Sequence, residues 1–184
     1  MLCYIKMEIR LDKKPQTLDK QKPFTILGLD PGLASTGFAV LQRSKSTEQV
    51  VDFGTITTPA NTPLEDRLFT IQSDLKSLFE SYSFDACAIE HIFFAKNTSS
   101  AILVAHAIGV MLSLARSFQV PCFRYSPTEV KSNLCGFGKA DKAQLQQMIS
   151  LLLKQELPKS SNHATDAIAI AICHAKLSSI SIKA

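Results

Sequence analysis

The stretch Thr25–Asp30 (TILGLD), followed at once by Pro31 and Gly32, decides the fold of this chain. It is short, apolar and closed by a carboxylate, as a buried β-strand that ends at the edge of a sheet would be. Two further segments rich in β-forming residues follow it, Thr36–Gln42 (TGFAVLQ) and Gln49–Ile56 (QVVDFGTI). Because short connections favour antiparallel neighbours, the chain is predicted to open with a three-stranded meander.

The middle of the chain alternates between helical and strand patterns. Apolar residues recur at steps of four and three from Leu64 to Tyr82, which predicts a helix. Beyond it we expect a buried strand ending at Glu90, a helix that is apolar on most faces and therefore tightly packed, and a fifth strand: Phe84–Ile89, Thr98–Phe118 and Val120–Tyr125. Each of these two strands follows a helix, so β-α-β crossovers and parallel pairing are predicted.

The last third of the chain is predicted to be helical. A capping box opens the first of three helices, with Ser126 as the cap and Glu129 three residues later. Asp141 and Asn162 are expected to cap the next two, and the last is expected to end near Lys176. The predicted fold class is therefore α/β: a five-stranded mixed sheet, three antiparallel strands and then two parallel ones, flanked by helices.

Composition excludes several classes of protein. The 184 residues are 46% hydrophobic and 20% charged, which excludes a mostly disordered chain. The longest nearly unbroken apolar stretch, residues 101–115, is too short to span a bilayer, so no membrane association is expected. Five scattered cysteines without a C-x-x-C pair, and no secretory signal pattern, predict reduced thiols in the cytoplasm.

The net charge of +4 is unevenly distributed. Residues 91–160 hold eight basic and three acidic side chains, a net of +5, which suits a polyanionic partner. Solvated helix faces are the plainer explanation of that charge alone. We expect a flexible N-terminal extension over residues 1–23, one domain over residues 24–178 and a short C-terminal tail over residues 179–184.

Acids stand at three places where a strand ends or a helix begins. Asp30 is the last residue of the first strand. Glu90 directly follows the apolar strand Phe84–Ile89. His163 and Asp166 lie three residues apart at the start of the last helix, on one helical face. Taken singly, each has a plain explanation: an Asp-Pro-Gly turn, a solvated strand end, and an acid favoured by the helix dipole.

Together, these residues can form one site. The ends of neighbouring strands meet at the same edge of an α/β sheet. Three carboxylates and one imidazole suit Mg²⁺ or Mn²⁺, since hard oxygen ligands dominate. Two such ions about 4 Å apart would activate water and stabilise the leaving oxygen in phosphodiester hydrolysis.

Five ordered motifs carry a resemblance to a known family. They are Ile26-Leu27-Gly28-Leu29-Asp30-Pro31-Gly32, Thr36-Gly37, Ala88-Ile89-Glu90, Phe93 with Ala95-Lys96-Asn97, and Asp166-Ala167-Ile168-Ala169-Ile170-Ala171. In this order and spacing the sequence resembles RuvC, the bacterial Holliday-junction resolvase family, over 152 of its 184 residues. The resemblance implies a ribonuclease-H-like fold, a homodimer, and Mg²⁺-dependent symmetric nicking of four-way DNA junctions beside the RuvA–RuvB branch-migration complex.

The resemblance also implies roles for individual residues. Asp30, Glu90 and Asp166 match three of the family's four acidic metal ligands, and His163 stands at the fourth. A neutral imidazole is a competent ligand, although it removes one negative charge. Phe93 matches an aromatic residue that the family uses against DNA bases, and Lys131 and Lys142 match basic residues used for phosphate contact or charge stabilisation. Lys96 and Lys139 are expected to add contacts to the DNA backbone. Core packing for the phenylalanine and plain solvation for the lysines stay open as alternatives.

Two other functions remain open from the sequence. Asp30-Pro31-Gly32 followed by Thr36-Gly37 could be a phosphate-binding hairpin of an actin-like ATPase, but the chain has no room for a second large lobe. A non-catalytic DNA-binding scaffold of the same fold is the other alternative, and the missing fourth acid is its only support. Junction cleavage identifies the resolvase, and ATP binding identifies the kinase-like protein.

Overall fold

The computed structural model describes residues 22–44, 47–91, 98–154 and 161–181. Their secondary structure follows the predicted order of elements. In chain order the elements are β1 (Phe24–Asp30), β2 (Ser35–Arg43), β3 (Glu48–Thr57), α1 (Leu64–Ser81), β4 (Ala86–Glu90), α2 (Thr98–Ser117), β5 (Cys122–Tyr125), α3 (Pro127–Cys135), α4 (Lys142–Leu153) and α5 (Asn162–Ser181).

The five strands form one mixed sheet in the order β3-β2-β1-β4-β5. Strands β1, β2 and β3 pair antiparallel, while β4 pairs parallel to both β1 and β5. This arrangement confirms the predicted fold class. It also places β1 at the centre of the sheet, where its apolar sequence is buried on both faces.

Helices cover the two faces of the sheet. Leu27 and Leu29 of β1 join a core with residues of α1 and α2, whereas Ile26 joins a second core with α3, α4 and α5. Alternate side chains of a strand point to opposite faces, so one seven-residue strand supplies both cores. The chain is therefore an α/β/α sandwich built around β1.

Helix α5 lies unusually close to the sheet. A Cβ atom added at Gly37 of β2 would come within 3.0 Å of the His163 carbonyl oxygen, and one added at Gly28 of β1 would come equally close to the Ala167 carbonyl. Only residues without a side chain allow this approach. The two glycines therefore seat the first turns of α5 directly on the central strands.

Two of the three predicted helix caps are confirmed. The Ser126 and Asp141 side chains each accept a hydrogen bond from the backbone N–H three residues later. The prediction that Asn162 caps α5 is wrong: Ser161 Oγ accepts from the Ala164 N–H at 3.2 Å, so Asn162 is the first helical residue. A serine and an asparagine in sequence are both competent caps, and the sequence alone did not separate them.

Helix α5 also ends five residues beyond the predicted Lys176, at Ser181. Arg43 of β2 explains part of this difference, because its guanidinium donates to the Ala175 carbonyl and to Ser178 Oγ. Leu177 packs against the core beyond the last predicted turn. Residues 1–21 and 182–184, which fall in the predicted extension and tail, lie outside the described residues.

Helix α2 departs from expectation on one face. It buries Ala107 and Met111 against the sheet, yet Ile102 is 51% and Leu103 38% exposed, and His106 is also exposed. The helix is apolar on most faces, but within the described residues Ile102 and Leu103 are left exposed. In contrast, His174 of α5 is buried and shares a 2.7 Å hydrogen bond with Tyr125 Oη. Within the described segments, no helix combines the length and apolarity needed to cross a membrane.

Candidate active site

Two adjacent strand ends deliver the first two carboxylates. Strands β1 and β4 run parallel with Leu29 opposite Ile89, so Asp30 and Glu90 follow side by side at the same edge of the sheet. Asp30 is 6% exposed, and Glu90 is half-buried. The two carboxyl groups are close enough to shift each other's pKa. Because two ionised carboxylates this close repel each other, a proton or a cation shared between them would stabilise the pair.

The first turn of α5 completes the group. His163 Nδ1 lies 2.6 Å from Asp30 Oδ2, and Asp166 lies one turn further along the helix. Asp166 and Glu90 line the same small cavity, of about 40 Å³, together with Lys131 of α3. The structure thus brings all four predicted site residues to one end of the sheet. Their proximity follows from the parallel pairing of β1 with β4 and from the glycine seats under α5.

Burial and mutual repulsion make these carboxyl groups hard to ionise. Burial, the hydrogen bond to Asp30, and the charges of Asp30 and Asp166 raise the pKa of Glu90 from 4.5 to about 8. Burial raises the pKa of Asp30 from 3.8 to about 6, although the hydrogen bond from Glu90 lowers it. Burial likewise raises the pKa of Asp166. Three acids are thus held where their negative charges are costly unless a cation joins them.

The donor set fits a hard divalent cation. In the described parts of the chain, no three His, Cys, Asp or Glu side chains are already arranged to hold a metal ion. His163 instead contacts Asp30, and Glu90 lies close enough to Asp30 for the two to shift each other's pKa. When ionised, these acids offer carboxylate oxygens beside one imidazole, which are ligands suited to Mg²⁺ or Mn²⁺. Metal binding and deprotonation of the pair are therefore linked.

The structure places only some of the predicted DNA-contacting residues near the acids. Lys142 of α4 lowers the pKa of both Asp30 and Asp166, and Lys131 lowers that of Asp166, so both lysines lie within electrostatic range of the acids. Lys139 is exposed in the connection between α3 and α4. Phe93 and Lys96 lie outside the described residues.

Sequence reasoning missed the positioning role of four residues near the site. Thr55 Oγ1 of β3 is hydrogen-bonded to Ser161 Oγ, the cap of α5, and so ties the start of that helix to the sheet. Gly28 and Gly37 appeared in the motifs without a structural role. A glycine inside a strand pattern signals close backbone approach, and that signal was available in the sequence.

A central β1 with an acid at its end, a neighbouring acid on β4 and a His/Asp pair on the closing helix define a nuclease of the ribonuclease-H-like class. The family model "Crossover junction endodeoxyribonuclease RuvC" matches residues 26–174. The chain belongs to this RuvC family.

Relatives of known name support the same assignment. The chain is 41% identical to the crossover junction endodeoxyribonuclease RuvC of Alkaliphilus oremlandii over 150 residues, which cover 82% of this chain and 92% of the relative. It is 39% identical to that of Clostridioides difficile, over 82% of this chain and 89% of the relative.

Solved structures agree. T. thermophilus RuvC in complex with Holliday junction substrate matches with a TM-score of 0.81 and 26% identity, over 86% of this chain and 96% of that one. The yeast mitochondrial Holliday junction resolvase shares the fold at a TM-score of 0.62 and 12% identity, over 82% and 77% of the two chains.

Proposed function

We propose that this chain resolves four-way DNA junctions by paired, symmetric hydrolysis of phosphodiester bonds during recombination and repair. The observation that carries the proposal is the convergence of Asp30, Glu90, His163 and Asp166 at one end of the sheet. Membership of the crossover junction endodeoxyribonuclease family supports the choice of substrate and reaction. The ATPase and the non-catalytic scaffold have no such support.

Asp30, Glu90, His163 and Asp166 are proposed to hold divalent metal, with Mg²⁺ as the native ion, two ions per site and Mn²⁺ as a substitute. Bound metal would supply a more acidic water and positive charge for the leaving oxygen. Asp30, held at the end of the rigid central strand, fixes the position of the site. Glu90 would have to lose its proton to hold metal, since its raised pKa leaves it mostly protonated near neutral pH.

His163, Lys131 and Lys142 are the other residues proposed to act in the site. The Nδ1 atom of His163 faces Asp30, which leaves Nε2 as the nitrogen directed away from that carboxylate. We assign the imidazole as the fourth ligand, held in orientation by Asp30. Lys131 and Lys142 stand near Asp166 and are proposed to neutralise the phosphate that is attacked.

The proposed DNA surface extends from the site across α3 and α4. Lys131, Lys139 and Lys142 lie on or between these helices, and their charges suit sugar–phosphate contacts. Phe93 and Lys96 are proposed to contact bases and backbone near the junction centre. Because phosphate contacts release counterions, binding is expected to weaken steeply as the salt concentration rises.

A homodimer is proposed because one site can nick only one strand at a time, whereas resolution requires two symmetric nicks. The exposed apolar side of α2, with Ile102 and Leu103, is the surface we assign to the contact between copies. An exposed apolar patch on a helix is typical of such contacts. We further propose that the dimer acts with the RuvA–RuvB complex in the cytoplasm.

A junction cleavage assay tests the proposal. A synthetic four-way junction and a plain duplex are incubated with the protein, with Mg²⁺ and with chelator. We expect Mg²⁺-dependent cuts at symmetric positions in the junction only. Asp30→Asn, Glu90→Gln and Asp166→Asn should each lower the rate by about a thousandfold or more, while junction binding persists.

Asp66→Asn is the matched control, because Asp66 is exposed in the first turn of α1 and carries no role in the site. Its rate should stay at the wild-type level. A wild-type rate in any of the three site variants would remove that residue from the active site. Binding of the junction without cleavage under every metal condition would favour the scaffold.

A further inference from the structure

Two cysteines face each other across the parallel strands β4 and β5. Cys87 and Cys122 are direct register partners, and the Cys87 N–H donates to the Pro121 carbonyl at 2.9 Å, which fixes the register beside them. Both side chains lie on the face of the sheet covered by α1 and α2. The Cys122 thiol donates to the Val120 carbonyl at 3.9 Å, and the two thiols are close enough to shift each other's pKa. The pair therefore lies side by side across adjacent strands in the folded protein.

The geometry of adjacent strands is compatible with a disulfide. Neighbouring strands lie about 4.8 Å apart, and disulfides join residues whose Cα atoms are about 4.4–6.8 Å apart. We propose that Cys87 and Cys122 form a redox modification site, in which peroxides convert the dithiol to a reversible intramolecular disulfide.

The two thiols differ in a way that assigns their roles. Cys87 is fully buried, whereas Cys122, on the edge strand, is partly exposed. Its interaction with the Cys87 thiol lowers the pKa of Cys122 against the raising effect of burial, and the nearby Arg124 lowers it further. The accessible Cys122 is accordingly the thiol that meets the oxidant, and Cys87 is the resolving thiol.

The chemistry proceeds in two balanced steps. The Cys122 thiolate attacks one peroxide oxygen, so that an S–O bond forms, the O–O bond breaks and the departing oxygen takes up a proton to become water or an alcohol. Cys87 sulfur then attacks the sulfenic sulfur; the S–S bond forms, the S–O bond breaks, and the hydroxide leaves as water with the Cys87 proton. Two thiols lose two electrons, which the peroxide accepts.

The other described cysteines are poor competitors for this bond. Cys135 of α3 and Cys173 of α5 belong to the core on the opposite face of the sheet. A sheet therefore separates them from the pair. Cys3 lies outside the described residues, and it is removed in the test by a Cys3→Ala background.

Peptide mapping of the full-length protein tests the proposal. Native protein is treated with hydrogen peroxide, blocked with an alkylating agent and digested with trypsin. The expected product links the peptide of residues 77–96 to that of residues 117–124, with the loss of two hydrogen atoms and reversal by dithiothreitol. It should exceed any other disulfide-linked pair by roughly tenfold.

Variants separate the two roles. Cys122→Ala should abolish the link, and Cys135→Ala, the matched control, should leave it unchanged. Cys87→Ala should instead trap a sulfenic acid on Cys122, detected with dimedone. The mapping of wild-type protein stands even if Cys87→Ala does not fold. A Cys122 sulfenic acid without the link in wild type, or a link that forms only in urea, would overturn the proposal.

Discussion

Replacing Glu90 by glutamine is predicted to stabilise the folded protein when no divalent cation is present. The folded state raises the pKa of Glu90 from 4.5 to about 8. A raised pKa means that the folded state disfavours the charged form, so stability falls as the pH rises from 4.5 through about 8. Glutamine keeps the shape and a hydrogen-bond donor for Asp30 but cannot ionise.

The magnitude follows from the same values. The interval between 4.5 and about 8 corresponds to at most about 5 kcal/mol of unfolding free energy. Because Glu90 and Asp30 titrate as a pair, one substitution recovers only part of that cost, on the order of 2 kcal/mol. For a chain of 184 residues this amounts to a rise in Tm of roughly 5 °C.

Thermal unfolding in chelator measures this difference. At about pH 3.5, below the ordinary pKa of 4.5, the variant and wild type should melt together, since Glu90 is then mostly protonated in both the folded and the unfolded state. At about pH 9 the variant should melt roughly 5 °C higher. Added Mg²⁺ should raise the Tm of wild type more than that of the variant. Glu80→Gln, on the exposed side of α1, is the matched control and should change the Tm little. Parallel pH profiles of Glu90→Gln and wild type would refute the reasoning.

Three further predictions concern the same region. Gly37→Ala should lower the free energy of unfolding by about 2 kcal/mol in a denaturant titration and slow cleavage, because its methyl group would displace the first turn of α5. Unchanged stability and cleavage would mean that α5 does not pack against β2 at this position. His163→Asp should raise Mg²⁺ affinity in calorimetry and lower stability in chelator, since a further carboxylate adds repulsion; superimposable metal titrations would make His163 a bystander. Lys142→Ala should flatten the salt dependence of junction binding, and an unchanged slope would place the DNA elsewhere.

The order of elements could be predicted from the sequence because each strand is a short apolar run with a clear end. Strands β1 and β2 begin and end within one residue of their predicted bounds. The end of α5 could not be predicted from the sequence, because a distant residue prolongs the helix. Arg43 of β2 donates a hydrogen bond to the Ala175 carbonyl. The exposed side of α2 was missed for a related reason, since an apolar pattern does not say how many faces a neighbour covers.

The predicted strand ends located the acidic residues correctly. The electrostatic coupling between these acids depends on three-dimensional distances that the sequence spacing does not give. Asp30 and His163 are 133 residues apart in sequence, and their contact exists only because Gly28 and Gly37 let α5 rest on β1 and β2. The same close seat buries the acids and raises their pKa values, so the packing that assembles the site also makes its metal-free form costly. A cation that relieves this cost binds more tightly than it would to the same ligands in solvent. The packing of α5 on the sheet and the affinity of the site for metal therefore depend on the same structural feature. Gly37→Ala should weaken both the helix packing and the metal affinity.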